Sequence, residues 1–163
     1  MQNLIENAIK EKLNGEKNAL DFVAFLQANA ISADIHDSGD GWSVMYKGES
    51  IGFIIITGGA TEGIGPWTIW LNVCDFGDPS RARADGHLQE IAWKHTNVCG
   101  HFTSGGKNCG CGDQPGRRVT IFGKDFDNIC HSPLMFINPD ADKLDAVKKL
   151  LLLVKRNRDD GNM

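Results

Sequence analysis

Three things are scarce in this sequence, and each scarcity excludes a class of protein. Basic charge is not in excess: 17 Lys and Arg stand against 21 Asp and Glu, a formal net charge of -4. A protein whose main work is gripping a phosphate backbone carries the opposite balance, so no nucleic-acid partner is expected. Long apolar runs are missing. The longest, Leu150 to Val154, falls far short of the roughly 20 residues of a membrane helix, so no membrane partner is expected either. The opening residues, Met1 to Lys12, lack the basic segment and apolar stretch of a secretory leader. A cytoplasmic location is therefore the expectation, and thiols there stay mostly reduced.

What is present is a globular composition. The 163 residues, 41% hydrophobic and 23% charged, suit one domain that buries roughly 70% of its unfolded surface. There is no internal repeat and no linker. Two counts stand out, 19 glycines and five cysteines. Seventeen of the glycines lie between Gly39 and Gly123, and four of the cysteines between Cys99 and Cys130. The middle of the chain is loop-rich and thiol-rich, and its ends are not.

Hydrophobic spacing predicts an α+β fold. Leu4, Ile5, Ala8, Ile9 and Leu13 mark a helix over 3–13 that stops at Asn14-Gly15. Ala19, Phe22, Val23, Leu26 and Ala30 mark a second over 17–30, with Asn18 as a candidate cap. Then the period changes to two. Trp42, Val44 and Tyr46 alternate with polar neighbours, Ile51 to Thr57 is a continuous apolar run, and Trp67, Ile69, Leu71 and Val73 alternate again. Short connections make these three an antiparallel meander. A helix follows from about Asp78 to His95, then an aperiodic Cys/Gly-rich segment over 97–118. Short strands are expected at Val119–Phe122 and Leu134–Ile137. Asp140 caps a C-terminal helix carrying Leu144, Val147, Leu151 and Val154 inward. The expected domain is 1–155, with 156–163 as a solvated tail.

The cysteines supply the candidate chemistry. Cys99, Cys109, Cys111 and Cys130 can furnish four thiolates for tetrahedral zinc, and glycines supply the wrapping turns. His101 or His95 can replace one of them. Zinc is preferred to an iron–sulfur cluster because no repeated C-x-x-C is present. Cys109-Gly110-Cys111 is tighter than the usual zinc pair, so free thiols in a buried loop are the plain alternative. A closed four-ligand set is structural; an open three-ligand set leaves room for water or substrate. The other alternative is thiol–disulfide exchange at Cys109 and Cys111, with Lys107, Arg117 and Arg118 lowering a thiol pKa. Cys130 and His131 form a dyad only if the strand turns between them, because neighbours on a strand face opposite ways. No residue is assigned a catalytic role.

The stretch Pro115-Gly116, then Thr120-Ile121-Phe122-Gly123-Lys124-x-Phe126-x-Asn128-x-Cys130, resembles a family of small uncharacterised bacterial cysteine-rich proteins. Trp42-x-Val44-x-Tyr46-Lys47-Gly48 and the Pro139-Asp140 helix start are similar as well. Where the family pattern implies a second cysteine shortly after Cys99, this chain has His101-Phe102. Either His101 substitutes, or the set is one ligand short. The resemblance implies no activity.

Trp42, Tyr46, Trp67 and Trp70 gather on the meander. Such a group is core or the lining of an apolar ligand pocket. Trp67 and Trp70 face opposite ways, and the solvent-side aromatic is the better ligand candidate. The ligand residues proposed are Trp42, Tyr46 and Trp70. The leading expectation is a zinc-braced protein whose sheet binds a small molecule or a protein partner; the alternative is a thiol-redox or metal-assisted enzyme at Cys109/Cys111.

Overall fold

The computed structural model describes residues 2–37, 39, 41–59, 63–72, 84–103 and 116–160. Two helices open the chain, α1 (Gln2–Lys12) and α2 (Lys17–Ala28). Ile5 and Ile9, one turn apart on α1, are fully buried. The helix stops where the spacing predicts: Asn14 and Gly15 take left-handed φ of 52° and 69°, and Gly15 N–H donates to the Ile9 carbonyl at 3.1 Å. This capping geometry closes a helix by satisfying its last carbonyls. On α2 the stripe Ala19, Phe22, Val23 and Leu26 is buried. The N-cap is Glu16, without a side-chain bond, rather than Asn18.

The sheet is built from β1 (Ser32–Ile35), β2 (Gly41–Tyr46), β3 (Glu49–Ile56), β4 (Trp67–Leu71), β5 (Thr96–Val98), β6 (Arg117–Ile121) and β7 (Lys124–Ile137). Every pairing is antiparallel, and the order is β1-β2-β3-β4-β7-β5, with β6 on β7. The predicted meander is β2-β3-β4. The structure adds β1 at one edge, forms the strand expected at Val119–Phe122 as β6, and extends the one expected at Leu134–Ile137 back to Lys124 as β7. Helix α3 (Gly86–Lys94) precedes β5, a single turn α4 (Gly100–Thr103) follows it, and α5 (Ala141–Asp159) closes the described chain. The helix expected from about Asp78 starts later: Asp85 is extended and caps α3 by accepting from Leu88 N–H, while residues 73–83 lie outside the described residues.

Alternation divides the sheet into two faces. The row Trp42, Ile54, Ile69, Phe136 runs across paired positions of β2, β3, β4 and β7 and is buried. The parallel row Val44, Gly52, Leu71, Leu134 is buried as well. The helices cover this face: Phe22 of α2 meets Trp67 with ring centroids 6.5 Å apart. Full burial of each large side chain here contributes roughly 1.5–3 kcal/mol.

Helix α5 is longer than the spacing alone implies. The Asp140 carboxylate accepts from Lys143 N–H at 3.0 Å, so the predicted cap is in place. At the other end the helix runs through Asp159. Residues 156–160, expected in a solvated tail, belong to the folded body. Asn157 is buried, Arg158 pairs with Glu49, and Asp159 accepts from Tyr46.

Two hairpins turn on left-handed dipeptides. Lys47-Gly48 has φ of 50° and 82°, and Phe122-Gly123 has 49° and 77°. Positive φ at both central positions matches the right-handed strand twist.

Candidate functional site

The junction of β5, β6 and β7 carries Cys99 and Cys130, the two candidate cysteine ligands that the structure describes. Val98 is opposite Ile129. Cys99 follows Val98 and Cys130 follows Ile129, so the pairing brings the two cysteines onto adjoining strands at this junction. Cys99 is buried and Cys130 half-buried. Cys99 N–H donates to the Asn128 carbonyl at 2.7 Å, continuing the ladder past the end of β5.

Gly116 completes the junction. A Cβ there would stand 2.6 Å from the Asn128 carbonyl carbon and 2.7 Å from Cys99 Cβ. Only glycine lets the backbones meet so closely. Cys99 and Gly116 thus bring together the two ends of the chain that carries Cys109 and Cys111. Those two cysteines lie outside the described residues, as do the His101 side chain and Cys74. Among the described residues, no group of three or more His, Cys, Asp or Glu side chains is placed to hold a metal ion.

Strand β7 continues through Cys130 and His131 but is irregular against β5. Thr96 and Val98 are two positions apart, and their partners Leu134 and Ile129 are five apart. The excess is a bulge over Cys130-His131-Ser132-Pro133, and a bulge is where a strand tolerates proline. It is pinned by side chains. Ser132 Oγ donates to Asn72 Oδ1 at 2.7 Å, and Asn72 Nδ2 donates to Ser50 Oγ at 3.3 Å. Asn97 Nδ2 donates to the Ser132 carbonyl at 3.0 Å. Sequence reasoning missed this network, because its members are far apart in the chain. Pro133 at the head of the apolar run Leu134 to Ile137 was the available signal.

His95, the other candidate substitute ligand, is committed elsewhere. Its ring stacks on Phe136 at 4.5 Å, and Nδ1 donates to the Met135 carbonyl at 3.2 Å. Burial pushes its pKa below the ordinary imidazole value, and Lys143 and Lys94 push the same way. The Met135 carbonyl and Asp140 act in the opposite sense.

The open face of the sheet carries the aromatic group. Ser43, Phe53, Trp70 and Met135 are successive partners across β2, β3, β4 and β7, and all are half-buried. Phe53 lies 6.1 Å from Trp70 and 5.2 Å from His36, edge-on to the imidazole. The Phe53 ring covers Gly41, where a Cβ would meet Cζ at 2.6 Å. The three ligand candidates separate accordingly. Trp42 is buried on the helix-covered face. Tyr46 is buried at the sheet end, bonded to Asp159. Trp70 alone of the three faces the open side. Phe53 and His36 were not among the candidates. Phe53 sits in the continuous run Ile51 to Thr57, where alternation is invisible.

No helix among the described residues is long and apolar enough to cross a membrane. No protein-family model matches this chain, and no curated protein or solved structure matches it significantly.

Proposed function

We propose that this chain is a zinc-braced binding domain of the cytoplasm. In this reading Cys99, Cys109, Cys111 and Cys130 hold a structural zinc, with His101 as the reserve ligand. The brace steadies a sheet whose open face, around Trp70, Phe53 and His36, takes a small molecule or a protein partner. The observation that supports it is proximity along the strands: Val98 pairs with Ile129, so Cys99 and Cys130 follow paired residues on adjoining strands, and Gly116 closes on Cys99. Zinc would supply four strong bonds to a segment that otherwise has little apolar side chain to bury.

The test is metal analysis of protein purified without added zinc, paired with thiol titration. About one zinc per chain is expected. Cys99→Ser and Cys130→Ser lose most of it, and Cys74→Ser keeps it. Chelation lowers the melting temperature. Metal-free protein with all five thiols freely reactive overturns the zinc reading, and a reversible Cys109–Cys111 disulfide would move the assignment to the thiol-redox alternative. For the surface, an aromatic sulfonate dye should brighten on the native protein and lose that response in Trp70→Ala.

A further inference from the structure

A second surface, independent of the cysteines and of the open sheet face, lies between α3 and α5. Ala84, Asp85 and Leu88 form one wall of a cleft of about 340 Å³; Lys149, Leu152, Leu153 and Arg156 form the other. Small-molecule sites span roughly 300–1,000 Å³, so this one suits a compact ligand. Leu88 and Leu153 make a buried apolar floor. Leu152 remains 42% exposed, an apolar side chain at the cleft rather than in the core.

Charge is arranged along the cleft. Lys149, Leu152, Leu153 and Arg156 follow helical spacing and share one face of α5. Lys149 is held by Asp145 at 2.7 Å. The Asp85 carboxylate is occupied by the Leu88 N–H at 2.8 Å, capping α3. Arg156 is exposed and has no acidic partner among the described residues. An anionic head is repelled by Asp85 at one end and attracted by Arg156 at the other. We infer that the α3–α5 cleft binds a small amphiphilic carboxylate, with its hydrocarbon chain over Leu88, Leu152 and Leu153 and its carboxylate on the Arg156 guanidinium. The planar fork of arginine suits that head group, which can accept two parallel hydrogen bonds.

Decanoate is the probe, titrated into the ¹⁵N-labelled full chain and followed by amide chemical shifts. Saturable shifts are expected at residues 84–88 and 149–156. Arg156→Gln should weaken binding about tenfold, the value of one charge-assisted pair. Leu152→Asp should abolish it. Both side chains are exposed, so the fold survives either change. Decylammonium, with the same chain and opposite charge, should bind there more weakly, because Lys149 and Arg156 outnumber Asp85 along the cleft. The inference is overturned by an absence of saturable shifts, by equal binding of decylammonium, by unchanged affinity in Arg156→Gln, or by shifts centred on Trp70. That last outcome would support the sheet-face reading instead, and zinc content bears on neither result.

Discussion

Tyr46, beside the β2–β3 turn, donates its hydroxyl to Asp159, at the last turn of α5, across 2.6 Å. Lys47 Nζ reaches the same carboxylate oxygen at 2.7 Å, and Lys155 lies over the tyrosine ring at 5.3 Å. Arg158 adds an ion pair to Glu49. The hairpin tip and the helix end are thereby clasped. Lys47 first, then the Tyr46 hydroxyl, hold the Asp159 carboxyl below its usual range. Asp159 in turn raises the Tyr46 phenol.

Tyr46→Phe keeps the buried ring and removes the donor. The melting temperature should fall by about 2–4 °C, as expected for one hydrogen bond in a domain of this size. The clasp also has a pH signature. A carboxyl with a lowered folded-state pKa contributes stability above its ordinary value and loses it as pH falls through the lowered one. Acid unfolding of Tyr46→Phe and Asp159→Asn should therefore show a smaller loss between pH 5 and pH 2 than the parent chain, an interval set by the ordinary Asp value of about 3.9.

Gly116→Ala forces a Cβ against the Asn128 carbonyl and Cys99. Overpacking of this kind costs about 1–3 kcal/mol. Gly59→Ala is the control, since nothing lies within 4 Å of its Cβ. Urea unfolding should separate the two variants clearly.

The lowered pKa of His95 acts in the same direction as that of Asp159 but at higher pH. The unfolded chain takes up a proton near pH 6.5 while the folded chain resists it. Stability is full above that value and declines as pH falls below it, levelling off only once the folded-state pKa is passed. His95→Phe should remove this component from the stability–pH curve between pH 7 and pH 5.

Phe122 sits at φ 49° in its turn, a conformation that bulky residues rarely take. Asparagine tolerates that backbone better, but the Phe122 side chain is buried in the core. Relief of backbone strain is worth about 1–3 kcal/mol, and loss of a buried phenyl costs about 3–5. Burial wins, so Phe122→Asn should destabilise the chain in thermal unfolding.

The two β4 tryptophans should behave unlike each other. Trp67→Ala empties the core beside Phe22 and should cost about 3–5 kcal/mol. Trp70→Ala should cost much less and should remove most of the acrylamide-quenchable fluorescence contributed by β4.

Much of the architecture was legible because it rests on local period. Ile5 and Ile9, Phe22 and Leu26, and the alternation of Trp67, Ile69 and Leu71 each report a face without any distant partner. Elsewhere the deciding contacts are remote. Strand β1 has only Ser32 to Ile35 to show, and it exists through its pairing with β2. The full length of β7 was hidden by Cys130-His131-Ser132-Pro133, which breaks the alternation where the strand bulges. The polar end of α5 reads as a tail until Tyr46 is seen to hold Asp159. The candidate site followed the same division. Sequence identified the thiols as a group, but only strand register relates Cys99 to Cys130, and the α3–α5 cleft depends on two helices packing side by side.

The position of β7 in the sheet also bears on how the chain is made. Strand β4 is complete at Leu71, yet its outer edge is covered by Leu134–Ile137, far later in the sequence. Until that segment leaves the ribosome, Trp67–Leu71 presents an apolar strand with an unpaired edge, the kind of template on which nascent chains stick to one another. The interval between the emergence of Trp67–Leu71 and that of Leu134–Ile137 is thus the one in which the growing chain is most exposed to such pairing.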